Sequence, residues 1–339
     1  MADLLHIRVV ASGSRSEDVI AFVEAHGATC HVVVQRDAAR QPRGDMISFD
    51  VAREAGNDVI DELRMLGLQE HGAIIVFHTE LAISATAELA HIEAPGDPEA
   101  TVMWDEVAVA LRNAVAVTFP FLAFFVVAAI IAAVGVMTDS PVLIVGAMVV
   151  GPEYGSLASV AFGLHRRDVG LVGQGAACFA VGAAAAVAAA ALTALLVRAV
   201  DQVPERFTLG DRPMTDFITN PDVFTVLVAM AAAVAGMLAL TQGRSGTLVG
   251  VLISVTTLPA IAEIGVGLAF TRRSEVLGAL TQLGINLVCL VVVGVATLAV
   301  LRRATPHLRT SPRAAPFGHN PVDAIATSAT PQARSVQDL

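Results

Sequence analysis

The sequence predicts a polytopic α-helical membrane protein with an N-terminal α+β soluble domain. Of its 339 residues, 55% are hydrophobic and only 15% are charged, whereas soluble domains carry about 25% charged residues. The hydrophobic residues are concentrated between residues 117 and 301, and the first hundred residues have a soluble composition. We therefore expect at least two domains, with the lipid bilayer as one partner.

The composition also argues against several functions. A net charge of −10 disfavours nucleic acid as a partner, since that partner requires a basic face. All 21 basic residues are arginine, so a Schiff-base or P-loop lysine is excluded. The three cysteines, Cys30, Cys178 and Cys289, follow no metal or redox spacing. No HExxH or GxSxG motif is present, and we expect neither an enzyme nor a bound cofactor.

Residues 1–80 alternate short strands and helices in the order β-α-β-β-α-β, which is the split ferredoxin-like arrangement. The strands are predicted at Leu5–Ala11, Thr29–Gln35, Met46–Ala52 and Ala73–His78, and the helices at Ser16–His26 and Glu54–Leu66. Ser16 is the expected cap of the first helix, because acidic residues follow it. Because this fold hosts many functions, the fold alone does not identify the function of the domain. We expect the domain to serve regulation or assembly.

Six of the nine histidines lie in the first hundred residues: His6, His26, His31, His71, His78 and His91. No pair has the spacing of a helical or CxxC-like metal site. We therefore favour packed or solvated side chains over a metal site, which is the alternative.

Residues 81–116 form the expected linker. The segment Ala94–Pro98 breaks any preceding helix, and Glu99–Val115 is predicted to be an amphipathic helix. Trp104 indicates an interfacial helix anchored at the membrane surface; a plain linker helix is the alternative.

Six membrane spans are predicted, each near or above the roughly 20 residues needed to cross. They cover residues 117–137, 142–164, 169–199, 222–241, 246–270 and 276–301. The membrane domain therefore extends over 117–303. Residues 304–339 are rich in Pro, Ser, Thr and Ala and are predicted to be disordered.

The spans suggest an internal repeat, with one unit at 117–199 and a second at 222–301. A Gly-Leu pair followed by two arginines recurs, at Gly163–Asp168 and at Gly267–Ser274. Three spans per unit is an odd number, so the second unit would be inverted relative to the first, as in many secondary transporters. Chance similarity between apolar spans is the alternative.

The second span carries the most informative residues, Gly151, Pro152, Glu153 and Tyr154. A carboxylate at mid-membrane depth costs roughly 2.5–3.5 kcal/mol, so it is expected to face protein or water and to serve a function. Proline removes a backbone donor, and the flanking glycines weaken the helix further. We therefore predict a broken span with an ion or substrate site at the break.

A second carboxylate, Glu263, lies four residues after Pro259 in the fifth span. No Arg or His occurs at mid-depth within the spans to pair with either acid, which favours H⁺ or Na⁺ as a coupling ion. Oxygen-bearing side chains that could complete the site are Tyr154, Ser156, Ser159, Gln174, Ser254, Thr256, Thr257, Gln282 and Asn286. For each Ser or Thr alone, a structural hydrogen bond is the stronger interpretation.

The third span is dominated by alanine and glycine, which allows close packing within the bundle or between protomers. We expect a homo-oligomer. The distribution of arginines favours a cytoplasmic location for both termini, and the inner (cytoplasmic) membrane is the expected location.

The run Thr138-Asp139-Ser140-Pro141, followed by Val145-Gly146-Ala147-Met148 and Gly151-Pro152, resembles a bacterial and archaeal membrane family catalogued as an uncharacterised hydrophobic domain of unknown function. The resemblance implies a similar membrane domain and a similar soluble N-terminal domain. The chain departs from the family pattern at Glu153-Tyr154, where Leu and Met are usual.

These observations together predict a secondary transporter of a small solute, with Glu153 and Glu263 in the coupling site. The alternatives are an ion channel, or a ligand sensor or scaffold anchored in the membrane. Six spans with buried carboxylates exceed what an anchor needs, so the sensor or scaffold ranks last.

Overall fold

The computed structural model describes residues 4–79, 81–94, 101–210, 212–242 and 247–304; the side chains of residues 217, 247–256 and 304 are outside this description. Ser254, the side chain of Thr256, most of the predicted break at 94–98 and nearly all of the predicted tail therefore lie outside the described residues.

The N-terminal part is a four-stranded antiparallel sheet in the order β2-β3-β1-β4. The strands are β1 (Leu4–Ala11), β2 (Thr29–Arg40), β3 (Arg43–Ala52) and β4 (Ala73–Thr79), and the helices between them are α1 (Gly13–Ala25), α2 (Gly56–Met65) and α3 (Leu68–His71). Alternating apolar residues bury one face of the sheet against α1 and α2. Element order and strand order are those expected for a split βαββαβ unit.

Ser16 is not the cap that the sequence predicts. Helix α1 begins three residues earlier, with Ser12 at its N-cap. The Ser16 hydroxyl instead donates to Asp45 Oδ2 at 2.7 Å, and the carboxylate also accepts from the backbone N–H of Asp37 and from Arg36. These donors, the Asp37 N–H foremost, hold the pKa of Asp45 at about 2.

The opposite face of the sheet is partly covered by α4 (Ala85–Glu93), which lies in the segment predicted as linker. Ala87 and Ala90 pack on Leu4 and Cys30. The helix begins at Ser84, whose hydroxyl accepts a hydrogen bond from the Thr86 N–H, as is usual for a serine N-cap.

The rest of the described chain is helical. Its helices are α5 (Trp104–Ala114), α6 (Phe119–Met137), α7 (Pro141–Val150), α8 (Glu153–Arg166), α9 (Val169–Ala199), α10 (Glu205–Leu209), α11 (Val223–Thr241), α12 (Thr247–Ala269) and α13 (Arg273–Ala304). Within the described residues, α6, α9, α11 and α13 are long and apolar enough to cross a membrane, and α7 with α8 would make a fifth span. Several long apolar helices of this kind are typical of a membrane protein.

Side-chain caps explain why these helices start where they do. The Thr118 hydroxyl accepts from Phe121 N–H at the start of α6, and the Asp168 carboxylate accepts from Leu171 N–H at the start of α9. Asp222 and Thr225 form a reciprocal capping box at α11. Each cap satisfies backbone donors that the first turn leaves without an intrahelical partner.

Helix α5 packs against α8 through its tryptophan. The Trp104 ring stacks on His165 with centroids 5.8 Å apart and is only 8% exposed. The indole is therefore covered by protein, and the predicted anchoring of α5 at the membrane surface stays a prediction. The tryptophan fixes α5 to the helical bundle.

Small residues set the close approach of helices around α9. A Cβ on Gly175 would lie 2.7 Å from the Ser156 carbonyl oxygen of α8, and a Cβ on Gly265 would lie 2.6 Å from the Val187 carbonyl oxygen of α9. The glycine and alanine face of α9 thus packs inside the described bundle, which is one of the two arrangements that its composition allows.

We predict that Gly265→Leu destabilises the protein, because the new side chain meets backbone atoms of α9 that have no room to move. Overpacking of this kind costs about 1–3 kcal/mol. The matched control is Gly173→Leu, since a Cβ at Gly173 has no heavy atom within 4 Å. Thermal unfolding of the purified protein in detergent measures both, and equal melting temperatures would contradict the described packing.

Candidate functional site

The predicted break in the second apolar span is confirmed. Helix α7 ends at Val150, α8 begins at Glu153, and the two axes are bent by 62°. Gly151 takes an extended backbone conformation and closes α7 through its N–H to Ala147 O at 3.1 Å. Pro152 has no N–H with which to continue the helix.

Glu153 is the first residue of α8 and is completely buried. The N-terminus of a helix favours a carboxylate through its dipole. The Thr257 hydroxyl of α12 donates to Glu153 Oε1 at 3.3 Å. The carboxylate lies over Gly151, where a Cβ would come 3.0 Å from Oε1 and closer still to Oε2. A side chain at residue 151 would therefore displace the Glu153 carboxylate from this position.

The hydroxyl groups of α8 that could have served as ligands donate hydrogen bonds to backbone carbonyl oxygens. Tyr154 Oη donates to Gly236 O of α11 at 2.6 Å. Ser156 Oγ donates to Glu153 O at 2.7 Å, and Ser159 Oγ donates to Gly155 O at 2.6 Å. The back-bonding interpretation is confirmed for these two serines, and Tyr154 ties α8 to α11.

Glu263 has a basic partner, so the expectation of an acid without one is wrong for this residue. Arg212 Nη1 donates to Glu263 Oε1 at 3.2 Å and to Oε2 at 3.1 Å, and both side chains are buried. The same guanidinium reaches Glu275 Oε2 at 2.9 Å. Sequence reasoning missed Arg212 because it lies outside the spans, in the long segment between α9 and α11.

Glu275 extends this pair into a network. Its Oε1 accepts from Arg272 at 2.8 Å, and Arg272 also donates to Phe207 O at 2.7 Å. The Phe207 ring lies 5.1 Å from the Arg212 guanidinium and 4.4 Å from that of Arg272, within the range of cation–π attraction. Two arginines and two glutamates thus compensate one another around a buried aromatic ring.

The Thr138–Pro141 motif holds this network in place from the first half of the bundle. Asp139 has a left-handed backbone with φ 52°. Its carboxylate accepts from Thr215 Oγ1 at 3.0 Å and from Met214 N at 3.3 Å. Because Met214 lies two residues after Arg212, the motif fixes the segment that delivers the guanidinium to Glu263.

The other motif residues build the turn between α6 and α7. Thr138 Oγ1 donates to Val134 O, and Ser140 N donates to Gly135 O at 2.8 Å. Pro141 is the first residue of α7, where its missing N–H carries no cost. A Cβ at Gly146 would have no heavy atom within 4 Å, so its packing among the described residues does not explain the glycine.

The two carboxylates occupy separate places. Thr257, which contacts Glu153, lies six residues before Glu263 on α12, a rise of about 9 Å. Pro259 is buried between them, and Asn286 and Gln282 are buried on α13. Gln174 is exposed on α9. Of the oxygen-bearing candidates, Thr257 is thus shown in contact with the Glu153 carboxylate, and Glu263 belongs to the arginine network.

Two turns have matching geometry. In the first, Arg167 has φ 59° and Asp168 N donates to Gly163 O at 2.8 Å. In the second, Thr271 has φ 58° and Arg272 N donates to Gly267 O at 2.8 Å. The Gly-Leu signature therefore corresponds to one kind of helix-ending turn, with a left-handed residue four positions after the glycine.

These features define a mostly helical protein with long apolar helices, a broken span and a small antiparallel sheet. Residues 148–292 match the model of a family described as a domain of unknown function (DUF389), which confirms the resemblance to a family of unknown function. The match covers the break at 151–152, both buried glutamates and Asn286. Comparison with curated proteins finds no match, and comparison with solved structures finds none.

We predict that Arg212→Met destabilises the protein by about 3–5 kcal/mol, because Glu263 is left as a buried charge without compensation. The double variant Arg212→Met/Glu263→Gln is expected to recover part of that loss, since the charge itself is removed. Thermal or denaturant unfolding in detergent measures the difference.

Arg206→Met is the matched control, because Arg206 is an exposed arginine of the same segment. Its effect should stay within about 0.5 kcal/mol. Equal losses at 206 and 212, or no recovery in the double variant, would show that Arg212 does not compensate Glu263.

Proposed function

We propose that this protein is a secondary membrane transporter of a small solute, coupled to H⁺ or Na⁺ at Glu153. The observation that carries the proposal is a fully buried carboxylate at the break of a bent pair of apolar helices. Broken helices of this kind position ion and substrate sites in transporters, because the helix ends present partial charges and unpaired backbone groups.

We further propose six spans arranged as a 3+3 inverted repeat, with α12 as the span that corresponds to α7 and α8. The two matching turns, at Gly163 and Gly267, are 104 positions apart. The same offset relates Glu153 to Thr257, and these two side chains contact each other. Equivalent positions meet in this way on a twofold axis, so the contact supports a site at the junction of the two units.

The segments that precede each unit also correspond. Helix α5 packs its Trp104 on Phe162 and His165 near the end of α8. In the second half, Phe207 of α10 packs on Phe270, directly after α12, with ring centroids 4.9 Å apart. An aromatic residue from the preceding segment thus covers the turn at the end of the broken or proline-containing helix in each half.

The remaining parts of the proposal follow from the sequence. Both termini face the cytoplasm in the inner (cytoplasmic) membrane, and the solute and its coupling ion pass between the two units. The N-terminal sheet domain, residues 1–80, serves regulation or assembly of a homo-oligomer.

The inverted repeat predicts that the two matching turns lie on opposite sides of the membrane. Single cysteines at Arg166→Cys and Ser274→Cys, both at exposed residues, are introduced after Cys30, Cys178 and Cys289 are replaced by serine. A membrane-impermeant maleimide applied to intact cells is expected to label position 274 and not 166. In permeabilised cells, which serve as the control, both cysteines are expected to react. Labelling of both cysteines in intact cells, or of neither, would contradict the inverted arrangement.

The transport proposal predicts that Glu153→Gln abolishes cation-coupled flux. Proteoliposomes under an inward H⁺ or Na⁺ gradient are monitored by an entrapped pH dye and by sodium uptake, respectively. Loss to the level of protein-free vesicles is expected, because the amide cannot exchange a proton and carries no negative charge to balance a bound cation. Glu205→Gln, at an exposed residue on α10, should leave the flux unchanged.

Folding of the Glu153→Gln variant is checked by its size-exclusion profile. Flux that survives Glu153→Gln would remove this carboxylate from the mechanism. Discrete single-channel currents across a planar bilayer would replace the transporter with a channel.

A further inference from the structure

Three neighbouring strands of the N-terminal sheet place ligand-type side chains in one row. In the register of the sheet, Asp50 on β3 lies opposite His6 on β1 and opposite Cys30 on β2. Residues opposite each other in an antiparallel pair share a face of the sheet. The His6, Asp50 and Cys30 side chains therefore lie side by side on the face that α4 partly covers.

A bulge adds His31 to this row. Consecutive residues of a regular strand point to opposite faces, so His31 would normally face away from Cys30. The β2–β3 register shifts directly after Cys30, and His31 takes a left-handed backbone conformation with φ 52°. The imidazole thereby turns onto Asp50, with Nδ1 2.7 Å from Oδ2. Strained backbone of this kind and β-bulges are concentrated at functional sites.

The resulting cluster has the geometry of a metal site. Cys30 Sγ, a ring nitrogen of His31 and an oxygen of Asp50 lie within 4.8 Å of one another. Ligand atoms around one tetrahedral Zn²⁺ ion, each at about 2.0–2.3 Å from it, are about 3.3–3.8 Å apart, and Cys30 Sγ already lies 3.7 Å from His31 Nδ1. Small side-chain rotations therefore suffice to bring all three atoms to a common ion.

We propose that Cys30, His31 and Asp50 bind one divalent transition-metal ion, of which Zn²⁺ is the best fit. Thiolate, imidazole and carboxylate together suit Zn²⁺, whereas Mg²⁺ and Ca²⁺ select oxygen ligands. Three protein ligands leave a fourth position for water or another small ligand. The proposal concerns the soluble sheet and does not depend on the transport function.

Surrounding side chains hold the ligands as a metal site requires. His6 Nδ1 lies 2.7 Å from Asp50 Oδ1, which leaves Oδ2 directed toward His31. On its other side, His31 Nε2 lies 2.8 Å from Ser84 Oγ and 2.9 Å from Thr86 Oγ1. These hydroxyls accept from Nε2–H when Nδ1 binds the ion, and such outer partners fix the tautomer of a metal-bound histidine.

The site is open to an incoming ion and linked to a helix. The His31 and Asp50 side chains are 35% and 15% exposed, whereas Cys30 is buried. Ser84 is the N-cap of α4, and Thr86 is in its first turn. Metal bound at His31 would therefore tie β2 to the start of α4.

The test uses the full-length protein without a histidine tag, stripped of metal with a chelator and titrated with Co²⁺. We expect one tetrahedral Co²⁺ per chain with a thiolate-to-cobalt charge-transfer band, and displacement of the ion by Zn²⁺. Asp50→Asn should weaken binding roughly tenfold or more, and Cys30→Ser should abolish the charge-transfer band. The controls Cys289→Ser and His71→Gln, the latter at an exposed histidine outside the cluster, should bind as the wild type.

Two results would overturn the proposal: a wild-type Co²⁺ spectrum without a thiolate band, and a band that persists in Cys30→Ser. The wild-type spectrum decides the question even if a variant fails to fold. Unchanged Co²⁺ affinity in folded Asp50→Asn would overturn the assignment of that ligand.

Discussion

The helical bundle is organised around the cost of placing carboxylates in an apolar interior. An isolated charge there costs several kcal/mol unless it is paired, hydrogen-bonded or protonated. The protein meets this cost in two different ways. Glu263 is neutralised by Arg212 in a network that includes Glu275 and Arg272. Glu153 lies at the N-terminus of α8, against Gly151 and the Thr257 hydroxyl.

This difference bears on what each acid can do. The Arg212 guanidinium contacts both carboxylate oxygens of Glu263 and is shared with Glu275. This pairing stabilises the ionised form of Glu263, which suits a structural role. Glu153 lies at a helix break and contacts the Thr257 hydroxyl, which can donate or accept a hydrogen bond. Exchange of a proton or a cation at Glu153 therefore requires less rearrangement than at Glu263. For this reason the proposed coupling is assigned to Glu153 rather than to the pair of acids.

The residues that the sequence could predict are those whose signal is local. The break at 151–152 follows from a glycine and a proline in an apolar run, and α9 (Val169–Ala199) has the bounds of the predicted span 169–199. Arg212 could not be found in this way, since its partner lies 51 residues further along the chain and no spacing links them. The Cys30 cluster was hidden for the same reason: its members come from separate strands, and a bulge reverses the direction of His31.

The contacts between the two halves constrain how they could move. Several polar contacts join them. Within the bundle, Thr257 contacts Glu153 and Tyr154 contacts Gly236, and at the turn that follows α6, Asp139 contacts Met214 and Thr215. The arginine network joins the segment before α11 to α12 and α13, so a rigid displacement of the second unit together with that segment would carry Arg212, Glu263 and Glu275 together. Such a displacement must break or shift the Thr257–Glu153 and Tyr154–Gly236 contacts, because the two members of each belong to different halves. If the protein works by the proposed mechanism, the hydrogen bonds that Glu153 and Tyr154 share with the second half are therefore the ones that would have to change during the cycle.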